Sequence, residues 1–417
     1  MKKILHLINN DHDGIFHYVN KLINSSLKNH SNIILSKYSS SKKVINLDSG
    51  KSLTEFLYDP ILILKNQKEF YLKLLNKIKR DFFNFYLNSD VLFNYYFNRI
   101  DFSKLKTKII KFDVIFIYTF REILSPKDLK MINDFFKCKI IFYPLDFELL
   151  SGGFHFENYN KNNLKLQKRN KELICYKKKN ISKLNIHWIA ANKYIQKKIK
   201  SSTIYNINNH KISKIYNTYE KFNFSKHEIL NFKKKNNLKK FDLIMLFSSL
   251  KLSDKRKGLT ELKNCLENYE KSANNNHKIA IISLGKEKNV NLGNRKIKHF
   301  HFDYIKDLRK LNLLFCSCDI FLNLTKYDFG PILCEIAFQN NLFILSSNVG
   351  IANEIVVNNH NGFIYKNNDE LHKKFQMIIN LAIRKKKIRN NQFHKMRNIY
   401  ALNKSKEFNK IFNEKFL

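Results

Sequence analysis

The sequence predicts two doubly wound α/β domains, each built around a parallel sheet. Both halves of the chain repeat a pattern of apolar strand, turn and helix, which is typical of sheets that carry helices on both faces. The 417 residues, 44% of them hydrophobic, are enough for two ordinary domains with a core each. We therefore expect domains at residues 1–223 and 241–400, a Lys-rich linker at 224–240 and a last helix at 401–417.

The first half contains short apolar segments of strand length that lack a helical period. The first of them is followed by a loop with Gly14 and then by a helix whose apolar positions keep a helical spacing. An aromatic stretch at 81–97 could stack on nucleic-acid bases, but its mixed helical spacings favour a place in the core. The predicted strands of this half lie at 4–8, 33–35, 112–118, 139–143 and 185–190.

The second half opens after the polar linker and repeats the strand, turn and helix order more regularly. Its basic C-terminal part, after residue 363, is predicted to be helical. The predicted strands lie at 242–247, 277–284, 298–302, 319–324 and 342–345, with a helix at 305–316.

The net charge and the spacing of the cysteines limit which binding partners and which cellular compartment we expect for the protein. The net charge of +41 is spread along the chain and attracts phosphates, nucleic acids and anionic membranes. No nucleic-acid motif occurs, so we expect an anionic membrane surface as a partner and no nucleic acid.

The six cysteines form no C-x-x-C pair, which predicts no disulfide framework and no metal site, and favours a reducing cytoplasm. No apolar run reaches the length of a signal peptide or of a spanning helix, about 18 residues, so we expect a cytoplasmic protein, peripheral at most on the inner face of the membrane.

The segment 326–356 is predicted to form a ligand site. Its preceding strand runs into a turn at Tyr327–Gly330, Pro331 stands where a helix would begin, and Glu335 follows one turn later. A strand, a tight turn and a helix N-terminus together make an anion-binding site. The next strand ends in the polar turn 347–350, so two such turns lie at the sheet edge where α/β proteins bind ligands.

This segment resembles the signature of the family 4-like glycosyltransferases, closest to the colanic-acid and surface-polysaccharide type. That signature has an acid, then (G/N)-F-G, four mostly apolar residues and a glutamate, followed by SNVGGIPEIV and NGFLV. The chain matches it at 329–330, Glu335, 347–350, 354–356 and 361–363. The resemblance implies the GT-B architecture, in which two Rossmann-like domains face a cleft and the last helix, 401–417, crosses back to the first domain.

One position of the signature differs in this chain. Tyr327 stands in place of the first acid, and Asp328 follows it. The resemblance implies that Glu335 holds the donor ribose, and that either Asp328 or the Tyr327 phenol with the amides after Phe329 contacts the donor sugar; we favour Asp328. Without the resemblance, Asp328 is explained as a turn or N-cap residue, and Glu335 as a first-turn glutamate that the helix dipole favours.

Two further segments carry the resemblance. Residues 144–156 are similar to HDMWPLTGGCHY of the colanic-acid subset and match it at Asp146, 152–153 and His155. Leu145 replaces the histidine of that motif, so its role falls to Asp146, Glu148 or His155, or is absent.

The Lys-Gly pair that grips the donor diphosphate in the family is Lys257–Gly258 here. Ser249 replaces the usual arginine, and Arg256 can stand in for it, since Arg and Lys make strong charge-assisted bonds to phosphate. A solvated basic loop is the alternative. Gly14 matches the family's glycine loop that faces the donor phosphates, or else it serves only as a helix-entry turn.

The resemblance implies a retaining, metal-independent hexosyltransferase that needs no cofactor. Its donor is a nucleotide diphosphate sugar, with uridine or guanosine as the base, and its acceptor is a glycan or lipid-linked acceptor in surface-polysaccharide or lipopolysaccharide assembly. Alternatives are a non-catalytic nucleotide-sugar binder, a nucleotide-sugar epimerase of the same fold and a basic nucleic-acid binder. The candidate catalytic residues are Asp146, His155, Lys257 and Glu335, and the candidate substrate-binding residues are Gly14, Arg256, Asp328, Phe329, Gly330 and Pro331.

Overall fold

The computed structural model describes residues 1–10, 14–38, 45–46, 111–120, 123–156, 162–215, 222–272, 277–330 and 332–385, with single helical positions between 64 and 78. The chain divides into two compact units. The first contains Met1–Ala191 and Ile195–Tyr216, and the second contains Asn192–Tyr194 and the described residues from 222 to 385. Pro331 lies outside the described residues, as do the aromatic segment 81–97 and the predicted helix 401–417.

The first unit is built on a parallel sheet. Its strands are β1 (Lys3–Asn10), β2 (Ser31–Tyr38), β3 (Ile45–Asn46), β4 (Val114–Ile117), β5 (Lys139–Phe142), β6 (Ile186–Ala190) and β7 (His210–Lys214). They lie in the order β3-β2-β1-β4-β5-β6-β7, so the direction of winding reverses between β1 and β4. The helices described here are α1 (Gly14–Ser26), α2 (Pro126–Phe136), α3 (Leu164–Ile181) and α4 (Lys193–Ser201), with a 3-10 turn at Glu148–Leu150.

The second unit repeats this design. Its strands are β8 (Leu243–Ser248), β9 (Ile279–Leu284), β10 (Ile297–Phe302), β11 (Ile320–Asn323), β12 (Phe343–Ser347) and β13 (Gly362–Tyr365). They form a parallel sheet in the order β10-β9-β8-β11-β12-β13, which reverses between β8 and β11. The helices are α5 (Lys226–Lys235), α6 (Leu259–Ser272), α7 (Leu308–Cys316), α8 (Ile332–Gln339), α9 (Ala352–Ile355) and α10 (Asn368–Lys385), with a 3-10 turn at Lys255–Lys257.

Helical spacing explains how α6 and α10 cover the sheet of the second unit. The buried side chains of α10 follow one another by three or four residues, which places them on one face of the helix. They pack with the buried side chains of α6 and with alternate residues of β8, which point to the same side of the sheet. The members of this core are Leu371, Phe375, Ile378, Ile379 and Ala382 on α10, Leu262, Leu266 and Tyr269 on α6, and Leu243, Met245 and Phe247 on β8.

The predicted linker 224–240 contains the ten-residue helix α5, which the sequence analysis missed. Ser225 accepts a hydrogen bond from the Glu228 amide, and the Glu228 carboxylate accepts one from the Ser225 amide, which makes a capping box. The Arg309 guanidinium of α7 also bonds the Glu228 carboxylate at 2.8 Å. The capping residues and this contact to α7 explain why a Lys-rich segment is helical here.

Within the described part of the chain, no helix combines the length and the apolarity that a membrane crossing requires.

Candidate functional site

The strand order of the second unit points to a ligand site at the carboxyl ends of β8 and β11. These strands are neighbours, and the winding of the sheet reverses between them. At such a reversal the loops that follow the two strands diverge and leave a crevice, which is where open α/β sheets bind ligands. The loop after β8 carries Arg256 and Lys257, and the loop after β11 carries Tyr327, Asp328 and Gly330.

A glycine lets the two loops approach each other. Gly258 ends the 3-10 turn in the left-handed region, with a φ of 81°. A Cβ atom at this position would lie 2.4 Å from the backbone oxygen of Leu324, which no side chain can tolerate. The Lys326 amide donates a hydrogen bond of 2.8 Å to the carbonyl of Arg256, so backbone contacts fix the spacing of the loops.

Two cations of the first loop bind to the second loop. The Lys257 ammonium lies 3.0 Å from an oxygen of the Asp328 carboxylate. The Arg256 guanidinium donates to the Tyr327 carbonyl at 3.0 Å and to the Asp254 carboxylate, also at 3.0 Å. Side chains of Lys257 and Asp328 are each about one fifth exposed, so this ion pair lies at the surface of the crevice, where an anion can reach it.

The turn after β11 leads directly into α8. The Gly330 amide donates to the Asp328 carboxylate at 3.3 Å, which closes a tight turn. Phe329 is buried beside it. Because α8 begins at Ile332, this turn lies beside the N-terminus of the helix, where unpaired amides and the helix dipole favour an anion.

Glu335 lies in the first turn of α8 and is only 2% exposed. Burial raises the pKa of the adjacent Cys334 thiol well above its usual value, and the charges of Asp328 and Glu335 raise it further, while Lys257 opposes them. Both carboxylates and the ammonium therefore lie within electrostatic range of one thiol. The structure thus pairs Lys257 with Asp328 in the loops before α8 and places Glu335 in the first turn of that helix.

The end of β12 completes this edge of the sheet. The Ser347 hydroxyl donates to the Thr325 carbonyl at 2.5 Å, and the Asn323 amide group donates to the Ser346 hydroxyl at 2.8 Å. Polar groups therefore tie β12 to the segment that leaves β11. The polar turn 347–350 is held next to the loop that carries Asp328.

The first unit has its own polar cluster, after β5. An oxygen of the Asp146 carboxylate lies 2.6 Å from Nδ1 of His155, and the other oxygen accepts from the Glu148 amide at 2.8 Å. The Phe147 amide donates to the His155 carbonyl at 3.0 Å. The structure therefore brings Asp146 and His155 together as a pair, and the side chain of each is about one fifth exposed.

Gly14 is the first residue of α1 and follows the carboxyl end of β1. This strand borders the reversal of the first sheet, between β1 and β4. Gly14 thus belongs to the edge of the first unit where a ligand site is expected.

Lys177, which is fully buried on α3, is absent from the site residues predicted from the sequence. Its ammonium lies 2.9 Å from the carboxylate of Glu148, and both side chains are 0% exposed. The signal was present in the spacing, because Lys177 falls in the buried stripe of α3 with Leu166, Leu173 and Ile181. A lysine in an apolar stripe predicts a buried anionic partner, since an unpaired buried charge is too costly.

Comparisons with known proteins identify the fold. No protein-family model matches the chain, and no curated protein matches it in sequence. HepE from Anabaena, solved with UDP-glucose, is similar in structure at 13% identity and a TM-score of 0.60, over 100% of this chain and 99% of that one. Sucrose-phosphate synthase from Thermosynechococcus elongatus is similar at 11% identity and a TM-score of 0.62, over 100% and 99% of the two chains. WaaG, a glycosyltransferase involved in lipopolysaccharide biosynthesis, is similar at 12% identity and a TM-score of 0.56, over 98% and 99%. The chain has the GT-B fold of glycosyltransferases, with two Rossmann-like domains.

Proposed function

We propose that the protein is a retaining glycosyltransferase that moves a sugar from a nucleotide diphosphate sugar to a glycan or lipid-linked acceptor. The observation that carries this proposal is the group of Lys257, Asp328 and Glu335 at the β8/β11 reversal, beside the N-terminus of α8. Cations and a helix N-terminus suit a diphosphate, and a buried carboxylate one turn later suits the two hydroxyls of a ribose. Because HepE is solved with UDP-glucose, UDP-sugars are the first donors to test.

Charge neutralisation of the leaving diphosphate is the main chemical task of the proposed site. As the glycosidic bond breaks, negative charge develops on the diphosphate and positive charge on the sugar ring. Lys257 and Arg256 supply the opposing charge from side chains, so we propose a reaction that uses them in place of a metal ion. Lys257 exchanges its bond to Asp328 for one to the diphosphate, while the turn at Phe329 and Gly330 holds the phosphate and the sugar at the N-terminus of α8.

The Asp146–His155 pair of the first unit serves the acceptor in this proposal. Because the Asp146 carboxylate binds Nδ1 of His155, it orients the imidazole ring and favours the tautomer that carries its proton there. An oriented imidazole can then bind the acceptor hydroxyl and take up its proton. Gly14, at the start of α1, is proposed to bind substrate from the first unit.

Turnover of the donor tests this function. Incubation of the protein with UDP-glucose and other nucleotide sugars should release nucleoside diphosphate slowly without acceptor, because water replaces the acceptor, and faster when a glycan acceptor is added. A binder without activity gives no release, and an epimerase interconverts donor sugars with no acceptor present. A nucleic-acid binder shows affinity that falls steeply with salt and is indifferent to nucleotide sugars. Any of these last three results contradicts the proposal.

Tyr327 stands where the glycosyltransferase signature has its first acid, so we predict that Asp328 binds the donor sugar in its place. We expect Asp328→Asn to lower turnover about 10- to 150-fold, because a charged acceptor contributes about 1.5 to 3 kcal/mol to a buried hydroxyl contact. Tyr327→Phe should lower it less, since a neutral contact contributes about 1 kcal/mol. Thermal unfolding of both variants is the control, because loss of a turn or cap lowers stability without changing the choice of donor sugar. A crippled Tyr327→Phe beside a fully active Asp328→Asn would show that the assignment of Asp328 is wrong.

Peripheral attachment to the inner face of the cell membrane would bring the enzyme to a lipid-linked acceptor, and we propose it from the net charge of +41. Co-sedimentation with anionic vesicles should fall sharply as salt rises, because charges are screened over about 8 Å at physiological ionic strength. Equal binding to neutral vesicles would contradict electrostatic attachment. A surface-polysaccharide acceptor is supported by the likeness to WaaG, which acts in lipopolysaccharide biosynthesis.

A further inference from the structure

The buried ion pair of the first unit is connected to the Asp146–His155 pair by a continuous chain of bonds. The Lys177 ammonium lies within hydrogen-bond distance of three oxygens of one loop: the Glu148 carboxylate at 2.9 Å, the Glu148 carbonyl at 2.5 Å and the Ser151 carbonyl at 2.7 Å. The Glu148 amide donates to the Asp146 carboxylate, which in turn holds His155. Lys177 therefore binds Glu148, whose backbone amide orients the Asp146–His155 pair.

Glu148 also fixes this loop to the neighbouring strand. The second oxygen of its carboxylate accepts from the Thr119 hydroxyl at 3.0 Å and from the Phe120 amide at 2.8 Å. Both donors follow β4, which pairs with β5, the strand that precedes the loop. The Glu148 side chain thus ties together the chain segments that leave two adjacent strands.

Helix α3 makes a second contact to the same loop, two turns before Lys177. The Gly152 amide donates to the side-chain oxygen of Asn170 at 2.8 Å, and a Cβ atom on Gly152 would lie 2.2 Å from the backbone oxygen of Asn170. The loop therefore packs directly on the helix backbone. Its geometry depends on α3 at two points, of which only Lys177 carries a charge.

The charge of Lys177 acts on the pair as well. Burial lowers the pKa of Lys177, and the carboxylates of Glu148 and Asp146 oppose that shift. The Asp146 carboxylate therefore lies within electrostatic range of the buried ammonium.

We propose that Lys177 is a positioning residue for the reaction, acting through Glu148 to hold the Asp146–His155 pair in the orientation that receives the acceptor. The effect of Lys177 on catalysis rests on the proposed function, whereas its anchoring of the loop 146–156 does not. Ion pairs of this kind are not needed for stability, because apolar residues of similar volume often replace them at no loss. A role in placing a functional loop explains why two charges are buried at this point.

The test compares Lys177→Met with Lys178→Met, which removes the adjacent, exposed lysine of the same helix. We expect Lys177→Met to lower kcat about 10- to 100-fold, the usual cost of a misplaced catalytic group, with an unchanged KM for the donor. Lys178→Met should match the wild type. Combining Lys177→Met with His155→Gln should lower kcat no further than His155→Gln alone, because both changes disable one pair. Where Lys177→Met does not fold, the near-isosteric Glu148→Gln replaces it in the same comparison.

Several results would overturn the proposal: wild-type kcat in Lys177→Met, fully additive losses in the double variant, or full turnover in His155→Gln. A separate measurement does not depend on activity. Hydrogen–deuterium exchange of residues 146–156 should be faster in Lys177→Met than in Lys178→Met, and equal exchange contradicts the anchoring role. If the wild type itself neither binds UDP nor turns over a nucleotide sugar, the proposed function fails, while the exchange experiment still decides whether Lys177 holds the loop.

Discussion

Lys257→Ala should lower kcat/KM for the nucleotide sugar by about 30- to 1000-fold, which corresponds to about 2 to 4 kcal/mol of lost transition-state stabilisation. The reason is that Lys257 opposes charge that grows on the diphosphate as the glycosidic bond breaks. Its effect should therefore be larger in the transition state than in the bound donor complex, so kcat should fall more than donor affinity.

Stability should hardly change in this variant. Lys257 and Asp328 lie at the surface of the crevice, each about one fifth exposed, so water can solvate Asp328 once the ammonium is removed. The matched control is Lys255→Ala, which removes an exposed lysine from the same 3-10 turn. Wild-type turnover in Lys257→Ala, or an equal loss in Lys255→Ala, would remove Lys257 from the proposed site.

Glu335→Gln should weaken UDP binding by about 10- to 150-fold, because hydrogen bonds to a charged group contribute about 1.5 to 3 kcal/mol. Glutamine has nearly the same shape, so the packing of this buried side chain should persist. If the carboxylate accepts from both ribose hydroxyls, the wild type should bind UDP much more tightly than 2′-deoxy-UDP.

The comparison of the two nucleotides is the decisive part of this experiment. In Glu335→Gln, calorimetry should give nearly equal affinities for UDP and 2′-deoxy-UDP, because the lost hydroxyl no longer meets a carboxylate. Glu267→Gln, on the exposed side of α6, should keep the wild-type preference. A preference that survives undiminished in Glu335→Gln places the ribose elsewhere.

The sequence predicted the fold well where strands are apolar and regularly spaced. The strand 319–324, the turn at Tyr327–Gly330 and the helix that carries Glu335 have counterparts in β11, its following turn and α8. Local sequence patterns indicate these elements, namely a buried apolar run and a turn that leads into a helix.

The elements that were missed have weak local signals. Strand β7 is the short sequence HKISK at the edge of its sheet, and Ile212 is its single aliphatic residue. Helix α3 is rich in lysine, and its buried stripe is interrupted by Lys177, so its apolar period is incomplete. Tertiary contacts to Glu148 and Ser151 make that interruption favourable, and no local pattern shows them.

Contacts between distant residues also lie beyond a local pattern. The sequence placed Lys257 and Asp328 in one site, with Asp328 assigned to the donor sugar, but it did not indicate that they bind each other. The contact follows from the parallel pairing of β8 with β11, which brings loops 71 residues apart to the same edge of the sheet. Because this pairing places Asp328 at the Lys257 ammonium, a diphosphate that binds Lys257 must displace the Asp328 carboxylate.

A crystal structure of the protein with UDP bound tests the central claim most directly. We expect the diphosphate at Lys257 and Arg256 beside the N-terminus of α8, the Lys257–Asp328 bond opened, and both ribose hydroxyls on Glu335. UDP bound at any other part of the chain, or crystals that take up no UDP at millimolar concentration, would contradict the proposed donor site.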